Sequence, residues 1–128
     1  MMQGLQVYET DVEDYRRLVD GPKWTVAALG HSERFDPRTP IRLERHLLTD
    51  ETFVLLSGTA TLVLGESCER VPMERGKVYN ITAGTWHHIQ VEPGTQVLVV
   101  ENSDTSKSNS EHKDSDTPLK TPARLGFA

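Results

Sequence analysis

From Trp24 onward the chain is a succession of short runs rich in β-branched and aromatic residues, each closed by a turn signal. This punctuation constrains the fold more than any bulk property. The runs span residues 24–29, 41–48, 52–56, 59–64, 78–81, 86–91 and 96–100. Gly65-Glu66-Ser67, Arg75-Gly76, Ala83-Gly84 and Pro93-Gly94 separate several of them, and Ser57-Gly58 suits a hairpin turn. Short strands at regular spacing predict an all-β sandwich or barrel. One helix is expected before them: Thr10 and Glu13 have capping-box spacing, and Gly21-Pro22 would stop a helix that runs to about Val19.

With 128 residues the chain makes one domain. No aliphatic or aromatic residue lies between Val100 and Leu119, so residues 1–101 are read as the barrel and 102–128 as a polar tail or arm. Leu125 and Phe127 give the last ten residues enough apolar character to dock. A net charge of −5 argues against a nucleic-acid face. No run approaches a membrane span or a secretory signal, and the one cysteine, Cys68, excludes an internal disulfide. The expected location is the cytoplasm.

Strand parity raises a question about polar residues. Along 41–48, Ile41, Leu43, Arg45 and Leu47 share one face, and Arg42, Glu44, His46 and Leu48 share the other. Taken alone, the first face reads as core and the second as solvated. Along 86–92, however, His87 shares its face with Ile89 and Val91, which points it inward and His88 outward. Glu51 likewise shares the parity of Phe53 and Leu55. A carboxylate placed inward must be paired, protonated or bound to a metal, because an isolated buried charge costs several kcal/mol. Two histidines and two carboxylates from separate strands could meet at one centre.

The spacings resemble those of the cupin superfamily, small double-stranded β-helix or jelly-roll barrels with two short motifs. In the first, Glu44-Arg45-His46 is followed after four residues by Glu51 and after six more by Gly58. In the second, Gly76 precedes Ala83-Gly84-Thr85-Trp86-His87. Arg38 stands where the family has its opening glycine, Thr82 where it has proline, Val91 where it has asparagine, and Glu44 where it has the first histidine. The resemblance implies that Glu44, His46, Glu51 and His87 project into the barrel and share one divalent transition metal (Zn, Mn, Fe or Ni). Glu44 could instead stay off the metal as a general base, or pair with Arg42 or Arg45 in a pocket that has lost its metal.

Two functions follow from the resemblance. One is a metal-dependent enzyme acting on a small polar molecule, with isomerase, lyase or decarboxylase chemistry favoured over dioxygenation. The other is a non-catalytic small-molecule-binding cupin, a sensor or storage module. Trp86 and Phe53 are candidate pocket walls, and a homodimer is expected because such barrels pair along exposed edges. His31, His88 and His112 receive no role: a loop residue, an outward-facing residue and a tail residue.

Overall fold

The computed structural model describes residues 4–103, 105 and 109–115. Its strands, in chain order, are β1 (Tyr15–Asp20), β2 (Trp24–Gly30), β3 (Arg42–His46), β4 (Glu51–Ser57), β5 (Ala60–Leu64), β6 (Glu69–Pro72), β7 (Val78–Ile81), β8 (His87–Val91), β9 (Gln96–Asn102) and β10 (Ser110–Asp114). They form two five-stranded antiparallel sheets, ordered β1-β2-β9-β4-β7 and β10-β3-β8-β5-β6. The inner faces share one core: Ala27, Phe53, Leu55, Val97 and Val99 from the first sheet meet Leu62, Ile89 and Val91 from the second. Leu62, Val91, Val97 and Val99 are exposed by 1% or less, so truncating a large one to alanine would cost about 2–5 kcal/mol.

The expected N-terminal helix is absent. The described residues hold no α-helix, and a 3-10 turn spans Glu33–Phe35. Residues 15–20 instead form β1, paired with β2 through Tyr15↔Leu29 and Val19↔Val26. The physical reason lies in length and pairing. Tyr15, Leu18 and Val19 do recur at helical spacing, but a helix stopped by Gly21-Pro22 would run only about ten residues, too few to hold on its own. Asp14 takes a left-handed φ of +61° ahead of the segment, and the ladder to β2 satisfies its backbone as a strand. Gly21-Pro22 turns the chain between two antiparallel strands rather than ending a helix, with Gly21 N–H donating to the Trp24 carbonyl at 3.1 Å.

The segment read as a tail also departs from expectation. Ser110–Asp114 forms the edge strand β10, in register with β3 through Ser110↔His46, His112↔Glu44 and Asp114↔Arg42. The docking expected of the final residues, around Leu125 and Phe127, falls outside the described residues.

The motif glycine Gly58 has a spatial reason. It links β4 and β5 at φ +89°, and a Cβ there would lie 2.4–2.8 Å from atoms of Thr95. Thr95 Oγ1 accepts from Thr59 N–H at 2.9 Å and donates to the Thr59 carbonyl at 3.0 Å, fastening this turn to the start of β9.

Candidate functional site

Each sheet delivers one cross-strand pair to a common interior. Glu51 on β4 stands directly opposite Glu101 on β9, and Glu44 on β3 stands directly opposite His87 on β8. His46, two residues along β3 from Glu44, shares its parity and is 7% exposed. The four residues singled out by the sequence therefore converge on one cavity of about 370 Å³, and Phe53 lines it as expected.

The centre is Glu51, 6% exposed. Its Oε1 lies 2.9 Å from His46 Nε2 and 3.1 Å from His87 Nε2. The far nitrogens of both rings are also engaged, His46 Nδ1 with Ser110 Oγ at 2.8 Å and His87 Nδ1 with the Thr85 carbonyl at 2.9 Å. A carbonyl only accepts, so His87 Nδ1 carries a proton and its neutral form turns a lone pair toward Glu51. Two acceptors at 3.1 Å need a cation between them, either a proton or a metal ion.

The donor set fits a divalent transition metal. Separations of 2.9 and 3.1 Å are those of hydrogen bonds, and equally those of neighbouring ligands at right angles around an ion about 2.1 Å from each. His87 has the second hydrogen bond that orients ligating imidazoles, and Ser110 offers the same to His46. Two sets of ligand atoms lie mutually within 4.8 Å: Glu44, His46 and His87, and His46, Glu51 and Glu101.

Glu44 differs from the other three. It lies at the rim, 38% exposed at its side chain, with Oε2 4.0 Å from His46 Nε2 and 3.2 Å from His112 Nε2. The expected pairing with Arg42 or Arg45 is not found: Glu44 pairs with His112, and Arg45 pairs with Glu111. His112 and Ser110 had no place in the sequence reading, because nothing in the polar run 102–118 marks a strand.

Glu101 was also missed, although a signal existed. Val97, Val99 and Glu101 alternate as buried residues, so β9 carries a carboxylate onto its inner face just past the expected strand end. Burial and the adjacent Glu51 carboxylate push Glu101 up to about 8, so near neutral pH it holds a proton and donates it to Glu51. Tyr15 O–H donates to Glu101 at 3.1 Å, and Arg17 lies 3.5 Å away. Burial pushes Glu51 up as well, but hydrogen bonds from His46 and His87 outweigh it and hold that carboxyl below its usual range. Burial likewise lowers His46, but the Glu51 hydrogen bond and the charges of Glu51 and Glu44 raise it overall.

His88 does not face solvent. Every residue of β8 is buried, and the Glu33–Phe35 turn packs on this strand. The His88 ring centroid lies 6.3 Å from that of Phe35, and its Nε2 has no hydrogen-bond partner among the described residues. Burial pushes its pKa down to about 4, which keeps it neutral. Trp86 packs under Arg45, whose guanidinium carbon is 4.4 Å from the ring centroid, with Lys113 5.3 Å away. It helps hold β10 against β3 and is absent from the cavity lining, contrary to its expected role as a wall.

No protein-family model matches the sequence, and no curated protein matches it significantly. Solved structures do match. The polyketide cyclase RemF from Streptomyces resistomycificus superposes with a TM-score of 0.65 at 20% identity, over 92% of this chain and 88% of that one. The Streptomyces nucleoside dehydratase Pac13 gives 0.58 at 16% identity, over 88% and 95%. A cupin-2 domain protein from Shewanella frigidimarina gives 0.56 at 17% identity, over 70% and 79%. Two antiparallel sheets closing on a shared core, with these likenesses, identify the chain as having the fold of the cupin superfamily.

Proposed function

We propose that this chain is a metal-dependent enzyme that moves a proton on a small polar metabolite held inside the barrel, in isomerase, lyase or decarboxylase chemistry. The observation that carries the reading is the placement of His46 and His87 Nε2 on one buried Glu51 oxygen, within a cavity of about 370 Å³. That volume lies within the range of roughly 300–1,000 Å³ common for small-molecule pockets. His46, Glu51 and His87 would hold the ion, which when bound supplies Lewis-acid polarisation of a substrate oxygen.

The chain's own residues supply the rest. Glu44, at the rim and outside the tight His–Glu–His contact, is the candidate general base, and the His112 imidazole beside it can carry the proton onward. Tyr15 and Glu101 also line the cavity, with the Tyr15 O–H given to Glu101. Leu29, Phe53 and Ile89 keep the floor apolar, which strengthens every polar contact a substrate makes there. Two neighbours of the fold are named for enzymatic reactions, a dehydration and a cyclisation, which supports catalysis over storage.

A second reading has its own observation. Glu51 is satisfied by two histidines and by Glu101, so the cluster balances as a proton-sharing network in a binding module without metal. Elemental analysis of purified protein before and after chelation, with His87→Ala as control, separates the two. Stoichiometric transition metal in the wild type, lost in the variant, supports the first reading. A wild type without metal, after growth in metal-supplemented medium, favours the second.

A further inference from the structure

We propose that the ligand of this cavity is a small organic anion, a carboxylate with an apolar body, and that Arg42 at the mouth holds its anionic group. The inference rests on the reading of the cavity as a ligand site and adds the chemical class of what enters it.

Arg42 opens β3 and shares the parity of Glu44 and His46, the two other residues of that strand that line the cavity. Three arginines line it in all, and two are committed. Arg34 grips both oxygens of Asp14 at 2.8 Å. Arg17 donates to the Thr105 carbonyl at 3.0 Å and lies 3.5 Å from Glu101. The Arg42 guanidinium makes no hydrogen bond or ion pair with any described residue. Asp114 stands opposite it across the β3–β10 ladder but forms no ion pair with it. A planar fork of donors, exposed at the mouth of a concave site and without an acceptor among the described residues, matches a carboxylate in two-point geometry.

Charge balance points the same way. The lining holds three arginines and three glutamates, Glu44, Glu51 and Glu101, the last two facing each other across β4 and β9. A divalent ion at the histidines leaves a surplus of positive charge that an anionic ligand would neutralise. The body of the ligand is specified by the walls. Leu29, Phe53 and Ile89 come from strands of both sheets and Phe35 from the 3-10 turn, and each is exposed by 9% or less. A compact inorganic anion or a bare sugar would leave these walls unfilled, whereas a carboxylate on a ring-sized apolar body meets wall and guanidinium together.

The probe pair is benzoate and its neutral counterpart benzamide, titrated into the purified protein by calorimetry, with metal content measured on the same samples. Benzoate is expected to bind about tenfold or more tighter than benzamide, the worth of one charge-assisted hydrogen bond. Arg42→Gln should weaken benzoate about tenfold while leaving benzamide and metal content unchanged, and Arg42→Lys should fall between. Equal affinity for the two probes, no binding of either at millimolar concentration, or an unchanged preference in Arg42→Gln overturns the proposal. If that unchanged preference vanishes on chelation, the ion and not Arg42 selects the anion, and the metal reading stands. Arg42-dependent preference in protein without metal supports the proposal and refutes the metal reading.

Discussion

Replacing Glu101 with glutamine should make the metal-free protein more stable at neutral pH, although the residue is buried within the site. Glu101 is 8% exposed and stands directly across the ladder from Glu51, an arrangement that is unfavourable when both are ionised. Its carboxyl is raised from an ordinary 4.5 to about 8, so the folded state must take up a proton that the unfolded chain has released. Stability from this group is fully present below pH 4.5 and is lost as pH rises toward 8. At about 1.36 kcal/mol per pH unit, the loss at pH 7 is about 3 kcal/mol. Glutamine keeps both contacts, donating N–H to Glu51 and accepting from Tyr15 O–H, and has no proton to bind. Thermal unfolding of chelated wild type and Glu101→Gln at pH 4.5 and pH 7 tests this. The variant should gain about 2–3 kcal/mol at pH 7, a melting shift on the order of 10 °C, and close to nothing at pH 4.5. Equal stability of the two proteins at pH 7, or a gain of the same size at both pH values, would refute the assignment of the shared proton.

The raised His46 predicts the same direction in a second experiment. Its contribution is present below pH 6.5 and fades as pH rises through its folded value, so Glu51→Gln, which removes the carboxylate it faces, should flatten urea stability above pH 6; an unaltered slope would contradict the pairing. Ser110→Ala should weaken metal affinity about 10–100-fold in chelator competition without changing the fold, because His46 loses the partner of its Nδ1. Unchanged affinity would show that β10 is only a cover. Gly58→Ala should cost about 2–4 kcal/mol in urea unfolding, combining a left-handed backbone with a collision against Thr95, and a cost below about 1 kcal/mol would mean that the turn adapts freely.

Much of the second sheet and of the site was legible because strand parity and motif spacing are local properties. The alternation that put His87 with Ile89 and Val91, and Glu51 with Phe53 and Leu55, is the alternation seen, and it suffices to bring three of the four ligand candidates into contact. The face of 41–48 that looked solvated carries His46 inward, while Leu43 on the other face is also fully buried, so covering of both faces defeated the one-sided rule. Residues 15–20 misled because a capping box followed by Tyr15, Leu18 and Val19 at helical spacing reads as a short helix, whereas the long-range ladder to β2 decides the outcome. Glu101 was lost by ending β9 two residues early. β10 was illegible for a deeper reason. Ser-Glu-His-Lys-Asp has no apolar face, and it is held by its ladder to β3 and by pairs such as Arg45–Glu111 and Lys113–Glu66, which only the folded register brings together.

One divalent ion shared by His46, Glu51 and His87 is the centre of the proposed site, and X-ray absorption at the metal edge of zinc-loaded protein reads that shell directly. The predicted spectrum has a first shell at about 2.0–2.1 Å with the outer scattering of two imidazoles, and His87→Ala is expected to retain no stoichiometric zinc. A shell of oxygen atoms alone, or a spectrum that does not change in the variant, would contradict it.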